Sequence, residues 1–331
     1  MAPPRVSVLV LNHNGRGHLE ACLPTLAAQT YPRDRIRIEV VDNASTDDSL
    51  AFVRRAFPRV AVRRFDRNLG FAEAYDDAIR ADDSEFVALL NNDTRVEPTW
   101  LSELVEAAAR HDAACVGSRM LDWTGEKVDF AGGLLTFIGH SWQRDAGGPA
   151  AREYAEEPLL FACAGSMLVQ RNAYLDAGGL DRDYFAYFED VDLGWRMSVL
   201  GFKTMLAPRA VTYHRLHGTA SRFAFAQRLR LYERNALATI FKNYETETLR
   251  RVLPVAIALS LARGLAHSGI DPRDFTLGAA PPATVGISTR TAVHLLALED
   301  FCRQLPSLTA KRHAIQSRRK VTDRDLFPLF G

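Results

Sequence analysis

Residues 6–15 read VSVLVLNHNG, a nearly continuous apolar, β-prone run that stops at Asn12-His13-Asn14-Gly15. Continuous rather than alternating apolar character marks a strand buried on both faces, as in a parallel sheet. Leu19, Cys22, Leu23 and Leu26 follow at helical spacing, with Pro24 expected to kink or delay the helix. The same succession of strand, polar loop and helix then recurs. Ile36 to Val41 leads into Asp42-Asn43-Ala44-Ser45-Thr46-Asp47-Asp48, where Ser45 and Asp48 have the spacing of a capping box, and on to Leu50, Val53 and Phe57. Val60 to Phe65 leads through Asn68-Leu69-Gly70 into Phe71, Ala74, Tyr75 and Ala78. Phe86 to Leu90 leads through Asn91-Asn92-Asp93-Thr94 into a helix from Pro98. Successive βα units predict a doubly wound α/β domain with its ligand beyond the carboxyl ends of the strands, where these Asn- and Asp-rich loops gather.

Beyond residue 115 the pattern is mixed, with strand-like pieces at Ala114 to Met120 and Phe161 to Gln170 on either side of the Gly-rich stretch Gly132 to Gly148. From Phe223 onward only helical segments are expected, at Gln227 to Lys242, Thr246 to Leu265 and Thr291 to Leu305, with Gly278 to Ser288 as a loop. A boundary near residue 221 therefore divides an α/β domain, 1–221, from a helical region, 222–331. The 331 residues hold 41 Lys and Arg against 40 Asp and Glu, so no global field recruits nucleic acid. Four widely spaced cysteines, Cys22, Cys115, Cys163 and Cys302, fit neither a zinc ribbon nor a disulfide framework. With no signal-peptide pattern and no long uninterrupted apolar run, a cytoplasmic chain is expected.

Three clusters could carry chemistry. In Asn91-Asn92-Asp93, residues two apart face one side of an extended segment, so Asn91 and Asp93 can share a ligand. A lone carboxylate at a strand end suits Mg²⁺ or Mn²⁺ bound jointly with a diphosphate; an Asx turn into the next helix is the competing reading. Phe188-Glu189-Asp190-Val191-Asp192 places three acids at the start of a helix, after Tyr184, Phe185 and Tyr187. Helix capping explains acids there, but apolar surroundings also lift a carboxylate toward general-base range. The third cluster, Tyr213-His214-Arg215-Leu216-His217, offers an imidazole as a further metal ligand and a basic neighbour for phosphate. Asp42, closing the second strand, stands where such folds read a base or ribose. The loops contain neither G-x-G-x-x-G nor a P-loop, and no G-x-S-x-G elbow.

Taken in order, VSVLVLNHNG, EVVDNASTDDS, RNLGFAEAYDDAI, LLNNDT, CAGSMLVQR, GGLDRDYFAYFEDVDLGWR and YHRLHGTAS resemble family 2 glycosyltransferases, nearest to their rhamnosyltransferase-like branch. The resemblance covers residues 5 to 221. It implies a GT-A fold, a Rossmann-like mixed sheet flanked by helices, followed here by a C-terminal helical region. It also implies inverting, metal-dependent transfer of a sugar, rhamnose by branch, from a UDP or dTDP donor to a hydroxyl of a glycan or lipid-linked acceptor in cell-envelope polysaccharide synthesis. By position, Asn12 and Asp42 would contact the donor nucleotide, Asn68 and Gly70 would shape the loop beside it, and Asn91 and Asn92 would line the donor site. Asp93 would bind Mg²⁺ or Mn²⁺, with Asn91 replacing the first acid of the family's D-x-D motif. His214, or His217 in its place, would add a metal or diphosphate ligand. Asp190 would be the catalytic base, Glu189 and Asp192 orienting acceptor or helix. Asp76 stands where the family commonly has Asn.

Two other functions compete: a nucleotide-sugar-binding sensor or scaffold without turnover, and a nucleotidyltransferase. The retained Asp93 and Glu189-Asp190 argue against the first, and the poor signature loop Asn12-His13-Asn14-Gly15 against the second. In the helical region, Leu249 to Ile270 is strongly apolar and Lys311 to Arg324 basic. A peripheral element on the inner membrane face is one reading; a buried packing helix with a solvated tail, or a homo-oligomer interface, is the other.

Overall fold

The computed structural model describes residues 2–215, 225–268 and 287–331. The chain divides into two compact units, one of residues 1–136, 141–219 and 318–331, the other of residues 137–140 and 220–317.

Among the described residues, the first unit is built on a ten-stranded mixed sheet. Strands β1 (Val6–Asn12), β2 (Ile36–Asn43), β3 (Ala61–Phe65) and β4 (Phe86–Asn91) form its parallel half in the spatial order β4-β1-β2-β3. Helices α1 (Arg16–Ala27), α2 (Ser49–Ala56) and α3 (Gly70–Arg80) connect them. The β1 side chains alternate between two cores. Val6, Val8 and Val10 pack on one face with α1 residues Leu19, Cys22, Leu23 and Leu26, and Leu9 packs on the other with Ala74, Tyr75 and Ala78 of α3. Burial on both faces is what the unbroken VSVLVL run requires.

Next come β5 (Thr94–Val96), α4 (Trp100–His111), β6 (Cys115–Asp122) and β7 (Val128–Phe130), followed by the small hairpin β8 (Gly133–Leu135) and β9 (Ser141–Gln143). The strands β10 (Pro158–Leu159) and β11 (Ser166–Gln170), helices α5 (Arg171–Asp176) and α6 (Glu189–Val199), and the long strand β12 (Thr204–His214) complete the sheet and its cover. β11 inserts antiparallel between β4 and β6, and β12 runs parallel to β6. This insertion makes the sheet mixed and brings the loop before β11 to the carboxyl end of β4. The last residues return to this unit: Val199 O accepts the Lys320 N–H at 2.9 Å, and the Phe330 ring packs edge-on to buried Trp195.

The second unit contains α7 (Phe225–Asn243) and α8 (Thr246–Leu265), close to the segments expected from periodicity, and α9 (Thr289–Gln316), which runs past the expected end at Leu305 through Pro306. Ser288 caps α9 by accepting the Thr291 N–H; the rest of the expected loop before it, 278–286, lies outside the described residues.

Three local expectations are corrected. α1 runs through Pro24 without a break. Ser45 makes no capping box: α2 starts at Ser49 after Asp48, which makes no side-chain cap, and the Ser45 hydroxyl accepts the Asn14 N–H and an Asn12 amide hydrogen instead. The segment Phe161 to Gln170 is strand only from Ser166, because residues 163–166 turn, with Ser166 N–H bonded to Cys163 O.

Candidate active site at the carboxyl edge of the sheet

Parallel register aligns the ends of three strands. Asn12 pairs with Asp42, and Leu11 with Asn91, so the polar residues that stop β1, β2 and β4 stand side by side. Asn12, Asp42 and Asn92 form one buried cluster. The Asn12 amide donates to Asp42 Oδ1 (3.3 Å) and Ser45 Oγ (3.1 Å), while its Oδ1 accepts from Asn92 Nδ2 at 2.7 Å. Asp42 Oδ2 accepts the Ser45 N–H. Gly15 allows this closeness: a Cβ there would stand 2.1 Å from Asn92 Nδ2 and 2.5 Å from Asn12 Oδ1.

Asn68 and Gly70 lie beside this cluster, joined to it by a residue that the sequence did not single out. Asn43 donates to Asn68 Oδ1 and Gly70 O, and accepts the Leu69 N–H. Gly70 has φ +79°, and a Cβ on it would meet the Phe185 ring at 2.6 Å and the Phe185 carbonyl oxygen at 2.8 Å. That carbonyl accepts the N–H groups of Phe71 and Ala72, so the aromatic stretch before α6 caps α3.

Asp93 and His214 meet because Thr94, the residue after Asp93, pairs with His214 across β5 and β12. His214 Nε2 lies 3.4 Å from Asp93 Oδ1, and His214 Nδ1 lies 2.8 Å from Asp129 Oδ2. Burial works against a charged ring, yet hydrogen bonds to Asp129 and Asp93 push His214 up to about 10. Burial would likewise raise Asp93, but the His214 hydrogen bond and charge outweigh it and hold Asp93 below the usual carboxylate range. Asp129, a lone acid in the apolar strand β7, carried no signal in the sequence. Its position behind an imidazole that faces a second carboxylate is the arrangement that orients a metal-ligating histidine. Among the described residues no group of three or more His, Cys, Asp or Glu side chains could hold a metal alone. One hard carboxylate and one oriented imidazole, which must give up its Nε2 proton to act as a ligand, therefore fit Mg²⁺ or Mn²⁺ only as a shared site completed by ligand oxygens and water. His217 lies outside the described residues.

The turn 163–166 connects this edge to the second acid cluster. Gly165 O accepts the Asn91 N–H at 2.9 Å, and the adjoining Ala164 N–H donates to Asp190 Oδ2 at 3.1 Å. Asp190 Oδ1 accepts the Val191 N–H at 2.8 Å, at the positive end of α6. Glu189 is buried, and its Oε2 has no hydrogen-bond partner among the described residues. Burial, then the Asp190 charge, raises Glu189 well above the ordinary Glu range. Burial raises Asp190 too, opposed by its two backbone donors. Burial and the neighbouring charge thus lift Glu189 further than Asp190, whose two backbone donors favour its ionised form. Cys163, in the turn, is pushed up by burial, then by the Asp190 charge.

The backbone before Asp190 is strained. Phe185, Tyr187 and Phe188 all have φ between +63° and +69°, and the Ala186 N–H closes a γ-turn on Tyr184 O. Each such residue costs about 1–3 kcal/mol and is retained only where the surroundings over-determine it. Asp76 supplies one constraint, accepting from Arg80, Arg182 and the Tyr174 hydroxyl, so that it ties the segment before the aromatic stretch to α3. An Asn could accept at only one oxygen, which is what Asp changes at this position. Asp192 is fully buried and turned away, paired with Arg196 at 2.8 Å, while Arg196 also donates to the Ala177 and Gly179 carbonyls.

The family model for Glycosyl transferase family 2 matches residues 7–176. The chain is 29% identical over 237 residues to the N-acetylglucosaminyl-diphospho-decaprenol L-rhamnosyltransferase of Mycobacterium tuberculosis, covering 64% of this chain and 76% of the relative. Its fold is similar to the mannosyltransferase PcManGT of Pyrobaculum calidifontis in complex with GDP-Man and Mn²⁺, with TM-score 0.53, 18% identity and 96% and 87% of the two chains covered. It is also similar to S. aureus TarS 1-349 in complex with UDP-GlcNAc, with TM-score 0.59, 16% identity and 95% and 88% covered.

Proposed function

The chain belongs to glycosyl transferase family 2, and on that premise we propose that it moves a sugar from a nucleoside diphosphate to an acceptor hydroxyl by a single inverting displacement, assisted by a divalent cation. The observation that carries the mechanism is the turn 163–166. One short segment holds Asn91 through Gly165 and Asp190 through Ala164, so a base stands across from the donor edge.

Asn12 and Asp42, with Asn92 hydrogen-bonded to Asn12, form the nucleotide side of the site. Asp42 can accept from N3 of uracil or thymine alike, which admits UDP or dTDP. Asn68 and Gly70 shape the neighbouring loop, and Asn91 lines the donor side. Asp93 and His214, with Asp129 orienting the ring, would hold Mg²⁺ or Mn²⁺; when bound, the cation offsets negative charge on the diphosphate. His217 is the alternative to His214 in this role.

Asp190 takes the proton of the acceptor hydroxyl as its oxygen bonds to the anomeric carbon. The bond from that carbon to the diphosphate breaks with its electron pair, so attack from the opposite face inverts the configuration. Glu189, kept neutral, adds no second negative charge beside the attacking oxygen, and Asp192 fixes α6 through Arg196.

The named activity of the mycobacterial relative supports rhamnose as the sugar and a lipid-linked saccharide of the cell envelope as the acceptor. Residues 1–221, joined by the returning residues 318–331, form the catalytic domain in this reading, and the enzyme works in the cytoplasm at the inner membrane face. Incubation with dTDP- or UDP-sugars and a lipid-linked acceptor tests it. Free nucleoside diphosphate and a product of inverted anomeric configuration are expected. Pyrophosphate would indicate nucleotidyl transfer, a retained configuration would overturn the single displacement, and no product would favour a sensor or scaffold.

A further inference from the structure

Charge is distributed unevenly along this nearly neutral chain. The helical unit, residues 137–140 and 220–317, holds thirteen Lys and Arg against seven Asp and Glu, so the remainder of the +1 chain is net acidic. Of nine exposed large hydrophobic side chains among the described residues, all but Trp142 also lie in the helical unit.

These two properties converge on α8. One side of the helix is buried through Leu249, Ala256, Ser260 and Gly264. The opposite side, from Val255 through Ala258, Leu259 and Ala262 to Leu265, is exposed and contains no polar residue. Val255 is 51% exposed and Leu265 58%. α9 adds exposed Leu295 and Leu296, beside the His294 side chain that lies against Gly264 of α8. Basic groups flank the apolar face at both ends. Exposed Arg250 and Arg251 precede it, Arg251 paired with the exposed Glu247 at 2.8 Å, and His267 follows it, with Arg290 3.5 Å from His267 and 5.0 Å above the exposed Phe225 ring. No helix among the described residues is long and apolar enough to cross a membrane. An apolar face bounded by arginines on a non-spanning helix is the pattern of an element lying in the plane of a bilayer surface.

We propose that the exposed face of α8 docks on an anionic lipid bilayer, with Val255, Leu259 and Leu265 entering the headgroup boundary and the flanking arginines meeting lipid phosphates. A second copy of the chain could cover the same apolar surface, but it would bring two strongly basic units together, whereas anionic lipid complements them. Docking deepens the lipid-linked-acceptor reading, and it is measured without turnover so that the two can fail separately.

The full chain is floated with vesicles of phosphatidylcholine alone or with about one-third phosphatidylglycerol. At least ~10-fold more chain is expected on the anionic vesicles, and less at high salt. Val255→Gln with Leu259→Gln should reduce flotation by ~10-fold or more at unchanged melting temperature, since both side chains are already exposed. Arg250→Gln should reduce it by about 5-fold, and Arg251→Gln by less, because Arg251 is paired with Glu247. Equal partition onto neutral vesicles, no flotation, or undiminished flotation of the apolar variant would overturn the proposal. So would a wild-type dimer that the apolar variant dissociates while neither form floats, which would assign the face to a second copy.

Discussion

Asp190 and Glu189 are neighbours with opposite tasks, and their surroundings explain the division. Asp190 has two backbone N–H donors, whereas Glu189 is buried with one oxygen that has no partner among the described residues, so of the two Glu189 is lifted further toward the protonated form. Asp190→Asn is expected to lower turnover by ~10²- to 10⁴-fold with unchanged affinity for the nucleoside diphosphate, measured by initial rates and by titration calorimetry. Glu189→Gln, isosteric with the neutral acid, should retain most activity. It should also change the pH dependence of stability. A carboxyl whose folded pKa is raised contributes fully below the ordinary Glu range, and the contribution is lost as pH rises through the elevated value. Glu189→Gln should therefore melt progressively higher relative to wild type from pH 5 to pH 8; a pH-independent difference would place the proton elsewhere. The acid pair was legible in the sequence as a cluster after aromatic residues. Which member is lifted furthest was not, because backbone donors from a distant turn decide it.

At the scale of elements, the polar stops of β1, β2 and β4 were readable because parallel register brings consecutive βα loops to one edge. The contribution of the mixed half was harder to see. Asp129 on β7 and the Ala164 N–H before β11 reach the site only because β11 inserts antiparallel and β7 pairs with β6, and neither pairing leaves a periodic trace. Ser45 and Asp48 mimicked a helix cap for a related reason: the same residue types satisfy loops and helix ends alike. Asp129→Asn should weaken cation affinity by ~10- to 100-fold while leaving cation-free nucleotide binding intact, read by calorimetric titration with Mn²⁺. Gly70→Ala would force a Cβ into the Phe185 carbonyl and ring at positive φ. It should cost about 1–3 kcal/mol in chemical denaturation and raise the donor KM, since the same contact caps α3 beside Asn68.

For the whole molecule, the succession from α/β to helical segments was evident from hydrophobic periodicity, but the return of residues 318–331 to the first unit was not. A short basic tail reads as solvated, and only tertiary packing shows the Phe330 ring, 3% exposed, against Trp195. Phe330→Ala should destabilise the chain by ~3–5 kcal/mol in urea melts if two-state behaviour holds for this unit. A loss below 1 kcal/mol would mean that the tail contributes little. Net charge had a similar limit: +1 excluded a global field and concealed an internal division between basic and acidic portions.

The most direct test of a donor site at Asp93 and His214 is the melting temperature with UDP or dTDP, each with and without Mn²⁺, in wild type and in Asp93→Ala. A ligand that binds only the folded state raises the melting temperature with occupancy. One diphosphate should raise it by several degrees in wild type only when Mn²⁺ is present, and Asp93→Ala should abolish the Mn²⁺-dependent part. An equal shift without the cation, or the same cation-dependent shift in Asp93→Ala, would contradict the assignment of cation and diphosphate to this edge of the sheet.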